Sequence, residues 1–320
     1  MAIYTEKIPA ILRRGMRIRQ ADAVLVGVPY DKTASDLKGA ALGPKAIFKR
    51  LEEQVEVRDA LLGREIAKEV KIVARHLARV ENMRPICMVT EVYKSVIDIV
   101  RQKKFVVGVG GEHTISLPLA KACFDVYGHF TVVVIDAHLD LRNNTDDYET
   151  VKMDAGPEFG RKPGDLADIS EEYAHSTVMR RIHQIGNDIS LFQIGIRSED
   201  QSEFEYAEAN RETIKVFRWP FWGNHCDIVD EIRTPRVYLS IDVDGFNPSV
   251  MPATGTTEEG GISWDWFMQF AKTLFRKKEV IGMDVVEVAQ GKNFSVREAG
   301  STAYNAAKII YRCIGMKFRK

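Results

Sequence analysis

The sequence predicts an α/β fold with a central, mostly parallel sheet of about eight strands. Three observations support this. Short apolar runs recur along the 320 residues, as at Thr131–Ile135, and such runs read as strands buried on both faces. Stretches with helical spacing separate many of them. Several runs end in acids, histidines or glycines, and the C-terminal ends of parallel strands are where open α/β sheets bind ligands.

In chain order, Ala23–Val28 is the first buried strand. The loop after it opens at Pro29, and Gly43-Pro44 starts a helix at which the missing proline N–H costs little. Glu69–Ala74 is a weaker strand, and His76 behind it reads as a surface or structural residue. Thr90–Gln102 has helical spacing, with Val92, Val96, Ile97 and Val100 on one side. Phe105–Val109 is a strand running into Gly110-Gly111-Glu112-His113-Thr114, where two glycines allow a sharp turn and a close approach to another element. Thr131–Ile135 leads into Asp136, His138 and Asp140, which point one way if the chain stays extended. Asn143–Tyr173 is polar, and a connection of that length reads as a functional or mobile loop. Ser176 is a candidate helix cap with His175 just before it, and His183 reads as a packing or surface residue.

Ser190–Ile196 is a strand, and Ser202 with Glu205 has capping-box spacing for the next helix. Glu212–Phe217 and Arg236–Leu239 are further strands. The second of these continues into Asp242 and Asp244, again two apart. His225 stays without an interpretation. Ser263 caps a helix through Thr273, Val280–Val288 is the last strand and carries Asp284 and Glu287, and Ser301–Cys313 is the final helix. No linker or repeat divides the chain, so residues 1–320 are expected to form one domain.

Composition narrows the partners. Lys plus Arg and Asp plus Glu each number 45, so no charge bias points to nucleic acid or an anionic membrane. No apolar run is long enough to span a bilayer, and the first residues lack the apolar core of a signal peptide. The four cysteines are scattered and form no CxxC, which suits a reducing, cytoplasmic setting.

Pooled at strand ends are His113, Asp136, His138, Asp140, Asp242 and Asp244. Burying carboxylates at a sheet end without counter-charge is costly, and a cation is the natural remedy. The excess of oxygen ligands favours Mn²⁺ or Mg²⁺ over a closed thiolate zinc site, and carboxylates can bridge two ions. The competing reading is a buried ion-pair network, which the shortage of basic residues in these runs disfavours.

GGEHTIS, IDAHLDLR, SIDVDGFNP and DVVEV, in this order, resemble the ureohydrolase family of arginases and agmatinases. The resemblance extends to VGVPYDKTAS and GPKAI near the start and to AHSTVMRRIHQIG followed by QIGIRS. The AHSTVMRR form is more similar to the agmatinase branch. The resemblance implies an arginase-like three-layer fold and two Mn²⁺ per subunit. His113, Asp136, Asp140 and Asp242 would hold one ion; Asp136, His138, Asp242 and Asp244 would hold the other. A bridging hydroxide, which Asp140 can orient, would attack a guanidinium carbon. Glu287 would grip the guanidinium, and His175 would shuttle protons near the leaving amine. The implied reaction is agmatine to putrescine plus urea. Arginine, guanidinobutyrate or another guanidino compound are alternatives, as is a non-catalytic metal-binding relative. A single-zinc deacetylase on the same fold is disfavoured by the Asp242–Asp244 pair with His113. The family often assembles as trimers or hexamers. The chain departs from the family pattern at Glu112, where arginases carry Asp, at Asn247, in place of an Asp, and in the length of the 143–173 segment.

Overall fold

The computed structural model describes residues 10–77, 79–143, 173–186, 189–220 and 224–319. The strands are β1 (Ala23–Val28), β2 (Arg58–Asp59), β3 (Arg64–Glu65), β4 (Ile72–His76), β5 (Phe105–Gly110), β6 (Thr131–Ile135), β7 (Ser190–Ile196), β8 (Ile214–Arg218), β9 (Arg236–Asp242) and β10 (Glu279–Val286). Eight of them form one sheet in the order β4-β1-β5-β10-β9-β6-β7-β8. Every neighbouring pair in it is parallel. β2 and β3 form a separate antiparallel ribbon that periodicity could not reveal, because strands of two residues carry no alternation.

The helices are α1 (Gly43–Glu53), α2 (Ile66–Glu69), α3 (Pro85–Arg101), α4 (Ser116–Tyr127), α5 (Val178–His183), α6 (Gln201–Ala209), α7 (His225–Glu231), α8 (Trp264–Lys277) and α9 (Val296–Lys317). They cover both faces of the sheet. Leu25, Val107, Val133 and Leu239 pack with α1, α7, α8 and α9 on one face. Val24, Val26, Val106, Val132 and Val134 pack with α3, α4 and α5 on the other. Because each face meets helices, β1, β5 and β6 are buried at every residue, which is why these strands read as continuous apolar runs. The layers are those of the expected arginase-like architecture.

Several expected boundaries move. The weak strand is Ile72–His76 rather than Glu69–Ala74, because Glu69 belongs to α2 and pairs with Arg64. The helix expected from Thr90 starts at Pro85, with proline in its first turn. The cap of α6 is Asp200 with Glu203 in a reciprocal capping box. Ser202, expected to cap it, lies inside the helix and donates to Asp200 Oδ1 at 2.7 Å. Ser263 caps α8 as expected, but the helix runs on to Lys277. The last helix begins at Val296 rather than Ser301, capped by Ser295 and Glu298. Its first turn is exposed, with Val296 at 91%, and so leaves no apolar periodicity to read. Of the polar loop expected at 143–173, residues 144–172 lie outside the described residues.

Candidate metal centre

Parallel strands end on the same edge of a sheet, and β5, β10, β9 and β6 are consecutive neighbours. The segments that follow them carry His113, Glu287, Asp244 and the Asp136–Asp140 run, and Asp242 ends β9 itself. Four separate stretches of sequence therefore meet at one point.

Beyond β6 the chain continues to pair with the β7 side through a bridge between His138 and Ser198. This keeps Asp136 and His138 in the extended course that aims both at the centre. Asp140 reaches the same centre by a different route: its φ is +52°. Its carbonyl accepts from Met179 N and Arg180 N at 3.0 and 3.2 Å. Asp244 is not on an extended strand with Asp242 either. It sits in a 3-10 turn, Val243–Gly245, closed by its own N–H donating to Asp242 Oδ1 at 2.9 Å. Glu287, expected within the last strand, lies just past it with φ +61°. Among the described residues three non-glycine residues have positive φ, and two of them are Asp140 and Glu287. Backbone held in that region at the ends of buried strands is strain of the kind functional sites retain.

Glycine makes the close approach possible at Gly111, where a Cβ would lie 1.9 Å from Tyr30 O. The backbone there locks the centre together. Glu287 N donates to Gly111 O at 2.8 Å, and His113 N donates to Glu287 Oε1 at 2.7 Å.

The ligand-type atoms form two groups that share Asp136: His113, Asp136 and Asp140, then Asp136, His138 and Asp244, each with its donor atoms within 4.8 Å of one another. His113 Nδ1 lies 3.1 Å from Asp136 Oδ2, 3.1 Å from Asp140 Oδ2 and 3.4 Å from Asp242 Oδ2. His138 Nδ1 lies 3.1 Å from Asp244 Oδ2. His113 Nδ1 and Asp136 Oδ2 are buried yet make no hydrogen bond. Buried polar atoms without partners are rare, and each calls for an explanation. A cation between them supplies one, so the residues fit a metal pair. Electrostatics agrees. Burial, with Asp244 and Asp136 as like charges, pushes Asp242 well above the ordinary carboxylate range. Burial beside Asp136 pushes Asp140 up to about 7. Burial disfavours charge on His138, but Asp244 and Asp136 overcome it and raise the imidazole to about 12. The place demands positive charge.

All eight predicted site and ligand residues lie among the described residues. His113, Asp136, His138, Asp140, Asp242 and Asp244 surround one point, and His175 and Glu287 stand beside it. His175 Nδ1 is 3.9 Å from Glu287 Oε1, and its buried Nε2 makes no hydrogen bond. Burial, reinforced by His138 and His113, lowers His175 to about 4. Contrary to expectation, His175 opens a 3-10 turn, His175–Thr177, ahead of α5, and Ser176 is not its cap; the turn is closed by Thr177 Oγ1 and Ala174. Asn247 accepts from Ser249 N and Oγ at 3.0 and 2.6 Å, a local turn contact.

The centre opens into a cavity of about 420 Å³ whose outer wall includes Ser35, Arg142, Glu199, Asp200 and Glu203. Sequence reasoning missed these wall residues. The IGIRS stretch marked their neighbourhood, but the acids follow it in a helix start read with the wrong cap.

Comparison with known proteins agrees with this geometry. A solved agmatine ureohydrolase of Thermoplasma volcanium shares the fold, with a TM-score of 0.72 at 24% identity, covering 97% of this chain and 94% of that one. The chain is 33% identical over 308 residues to an N(1)-aminopropylagmatine ureohydrolase of Synechocystis, covering 92% of this chain and 89% of the relative. It is 28% identical to an agmatinase of Pyrococcus horikoshii over the full length of both. The family model described as the arginase family matches residues 21–315. By fold, by converging motifs and by this match, the chain belongs to the arginase family.

Proposed function

We propose that this protein is a manganese-dependent amidinohydrolase that cleaves a guanidino compound bearing a cationic tail, with agmatine to putrescine plus urea as the leading reaction. The observation that carries the reading is the pair of ligand groups joined through Asp136, with Glu287 and His175 facing the same cavity. His113, Asp136, Asp140 and Asp242 would hold one ion; Asp136, His138, Asp242 and Asp244 the other. Bound there, two divalent ions supply Lewis acidity and bring the pKa of water toward neutrality. Glu287 meets the planar guanidinium with a charge-assisted contact. Asp140 orients the attacking water. His175, whose buried Nε2 makes no hydrogen bond, stands beside Glu287 where it could pass a proton to the departing amine. Water thus replaces the substituted nitrogen on the guanidinium carbon, giving urea and a protonated amine.

The outer wall supports a cationic tail. Glu199, Asp200 and Glu203 line it together with Arg142; Arg142 pairs with Asp200 at 3.0 Å and Arg218 with Glu199 at 2.7 Å. An α-carboxylate such as arginine carries would face carboxylates there, with both nearby guanidinium groups already paired. An aminopropyl extension, as in the substrate named for the Synechocystis relative, also suits this wall. We propose further that the chain forms one domain, works in the cytoplasm and assembles as a trimer or hexamer. No described helix is long and apolar enough to cross a membrane.

The test is urea release by Mn²⁺-reconstituted protein, with agmatine, N(1)-aminopropylagmatine, arginine and 4-guanidinobutyrate supplied separately. Turnover of a cationic-tailed substrate, abolished by chelation, is the expected result. Turnover of arginine alone would overturn the substrate assignment, and silence on all four with two ions bound would overturn the catalytic one.

A further inference from the structure

Glu112 is fully buried, yet no basic side chain contacts it among the described residues; its partners are hydroxyls and an amide. Oε2 accepts from Thr33 N at 2.7 Å. Oε1 accepts a short hydrogen bond from Thr33 Oγ1 and one from Thr114 Oγ1 at 2.8 Å. The Thr33 hydroxyl spends its one proton on Glu112, so its lone pairs face elsewhere. One of them accepts from His175 N at 3.2 Å. Backbone bonds reinforce the junction, with Glu112 N donating to Tyr30 O at 2.7 Å. Three segments far apart in sequence meet here: the loop after β1, the turn after β5 and the turn that carries His175. The same β1 loop places Ser35 on the cavity wall.

We infer that Glu112 and Thr33 are positioning residues for His175. The carboxylate orients the Thr33 hydroxyl, and the hydroxyl holds the His175 backbone, so the imidazole stands beside Glu287 with Nε2 free. This reading deepens the proposed function and rests on it, since it assigns a purpose to the placement of His175. The extra methylene of Glu112 relative to the aspartate of arginases gives the reach to Thr33. Neither residue contributes an atom to the metal groups, so their effect on turnover should separate from metal content.

The test compares Thr33→Val, Thr33→Ser and Glu112→Gln in the Mn²⁺-reconstituted protein. Thr33→Val keeps the shape and removes the hydroxyl. Glu112→Gln replaces one acceptor with a donor facing the donors already there. Both should retain two ions per chain by elemental analysis. Both should lower kcat about tenfold to a hundredfold with KM little changed, the size expected when a reacting group is misplaced by about 1 Å. Hydrogen–deuterium exchange of the peptide spanning His175 should rise in both. Thr33→Ser, which keeps the hydroxyl, should restore wild-type rate and exchange. The exchange readout does not require turnover, so failure of the proposed reaction would show as absent urea in the wild type and leave this test standing. Wild-type kcat and wild-type exchange in Thr33→Val would overturn the inference. So would loss of manganese in Thr33→Val, which would make the residue part of the metal support instead.

Discussion

Each buried acid at the centre is distinguished by what it touches. Asp136 belongs to both ligand groups, whereas His138 belongs to one. Asp136→Ala is therefore expected to lower bound manganese from two ions toward none, and His138→Ala to leave close to one, both read by elemental analysis after gel filtration. Equal loss in the two variants would contradict the shared-ligand arrangement. Glu287 is in neither group, but its Oε1 accepts from His113 N at 2.7 Å. Glu287→Gln keeps an oxygen for that bond and removes the charge. It should hold both ions while kcat/KM for the guanidino substrate falls by about 10²-fold, the loss of a charge-assisted contact worth about 3 kcal/mol. Unchanged kcat/KM would remove Glu287 from substrate binding. The sequence exposes these residues because ligand chemistry at the end of an apolar run contradicts packing, and Asp136, Asp242 and Glu287 stand out on that ground. Thr33 and Glu112 do not stand out. Their importance lies in a contact across 79 positions, and no local pattern announces it.

At the scale of elements, the strands were legible and the caps much less so. Ser190–Ile196 is read to the residue, because Leu191, Phe192, Ile194 and Ile196, all buried, outweigh Gln193. The start of α6 is ambiguous in sequence because Asp200–Glu203 and Ser202–Glu205 offer the same spacing; tertiary contacts accompany the first pair, with Arg142 3.0 Å from Asp200 and Leu141 N donating to Glu203 Oε1 at 2.9 Å. The helix after the His175 turn shows how one histidine ties elements together. His183 closes α5, with Nδ1 2.8 Å from Tyr206 Oη on α6 and Nε2 2.9 Å from Thr213 Oγ1 before β8. Burial, with Arg180 nearby, lowers its pKa below 6.5. The unfolded chain then binds a proton that the folded chain resists, so this residue's contribution is complete above pH 6.5 and fades as pH falls below it. His183→Gln, which has no such proton, should narrow its melting-temperature deficit relative to wild type between pH 8 and pH 5.5. A deficit that is constant or widens on acidification would refute the shift.

For the whole molecule, the cost of gathering charge falls on the fold. Asp136, Asp140, Asp242 and Asp244 are all at most 7% exposed, and they sit where four neighbouring strands of the sheet end. Mutual repulsion of buried carboxylates opposes folding unless positive charge accompanies them. Both apolar layers, by contrast, are closed and require nothing from a ligand. Manganese should therefore act on stability through one edge of the sheet, by binding the folded chain and not the unfolded one. At a free-ion concentration of about a thousand times Kd, each independent site adds about 4 kcal/mol. For a chain of this size that corresponds to a rise of several degrees in melting temperature. Differential scanning fluorimetry of chelated protein titrated with Mn²⁺ should show that rise, and Asp136→Ala should abolish it. With the metal removed, that variant should melt lower than the chelated wild type, because burial opposes the Asp136 charge but His113 and His138 more than offset it and hold this carboxyl below the ordinary range. A melting temperature indifferent to manganese in the wild type would mean that His113 and His138, held protonated by the surrounding carboxylates, already neutralise the cluster. The centre would then be an ion-pair network, and the hydrolase reading would lose its foundation.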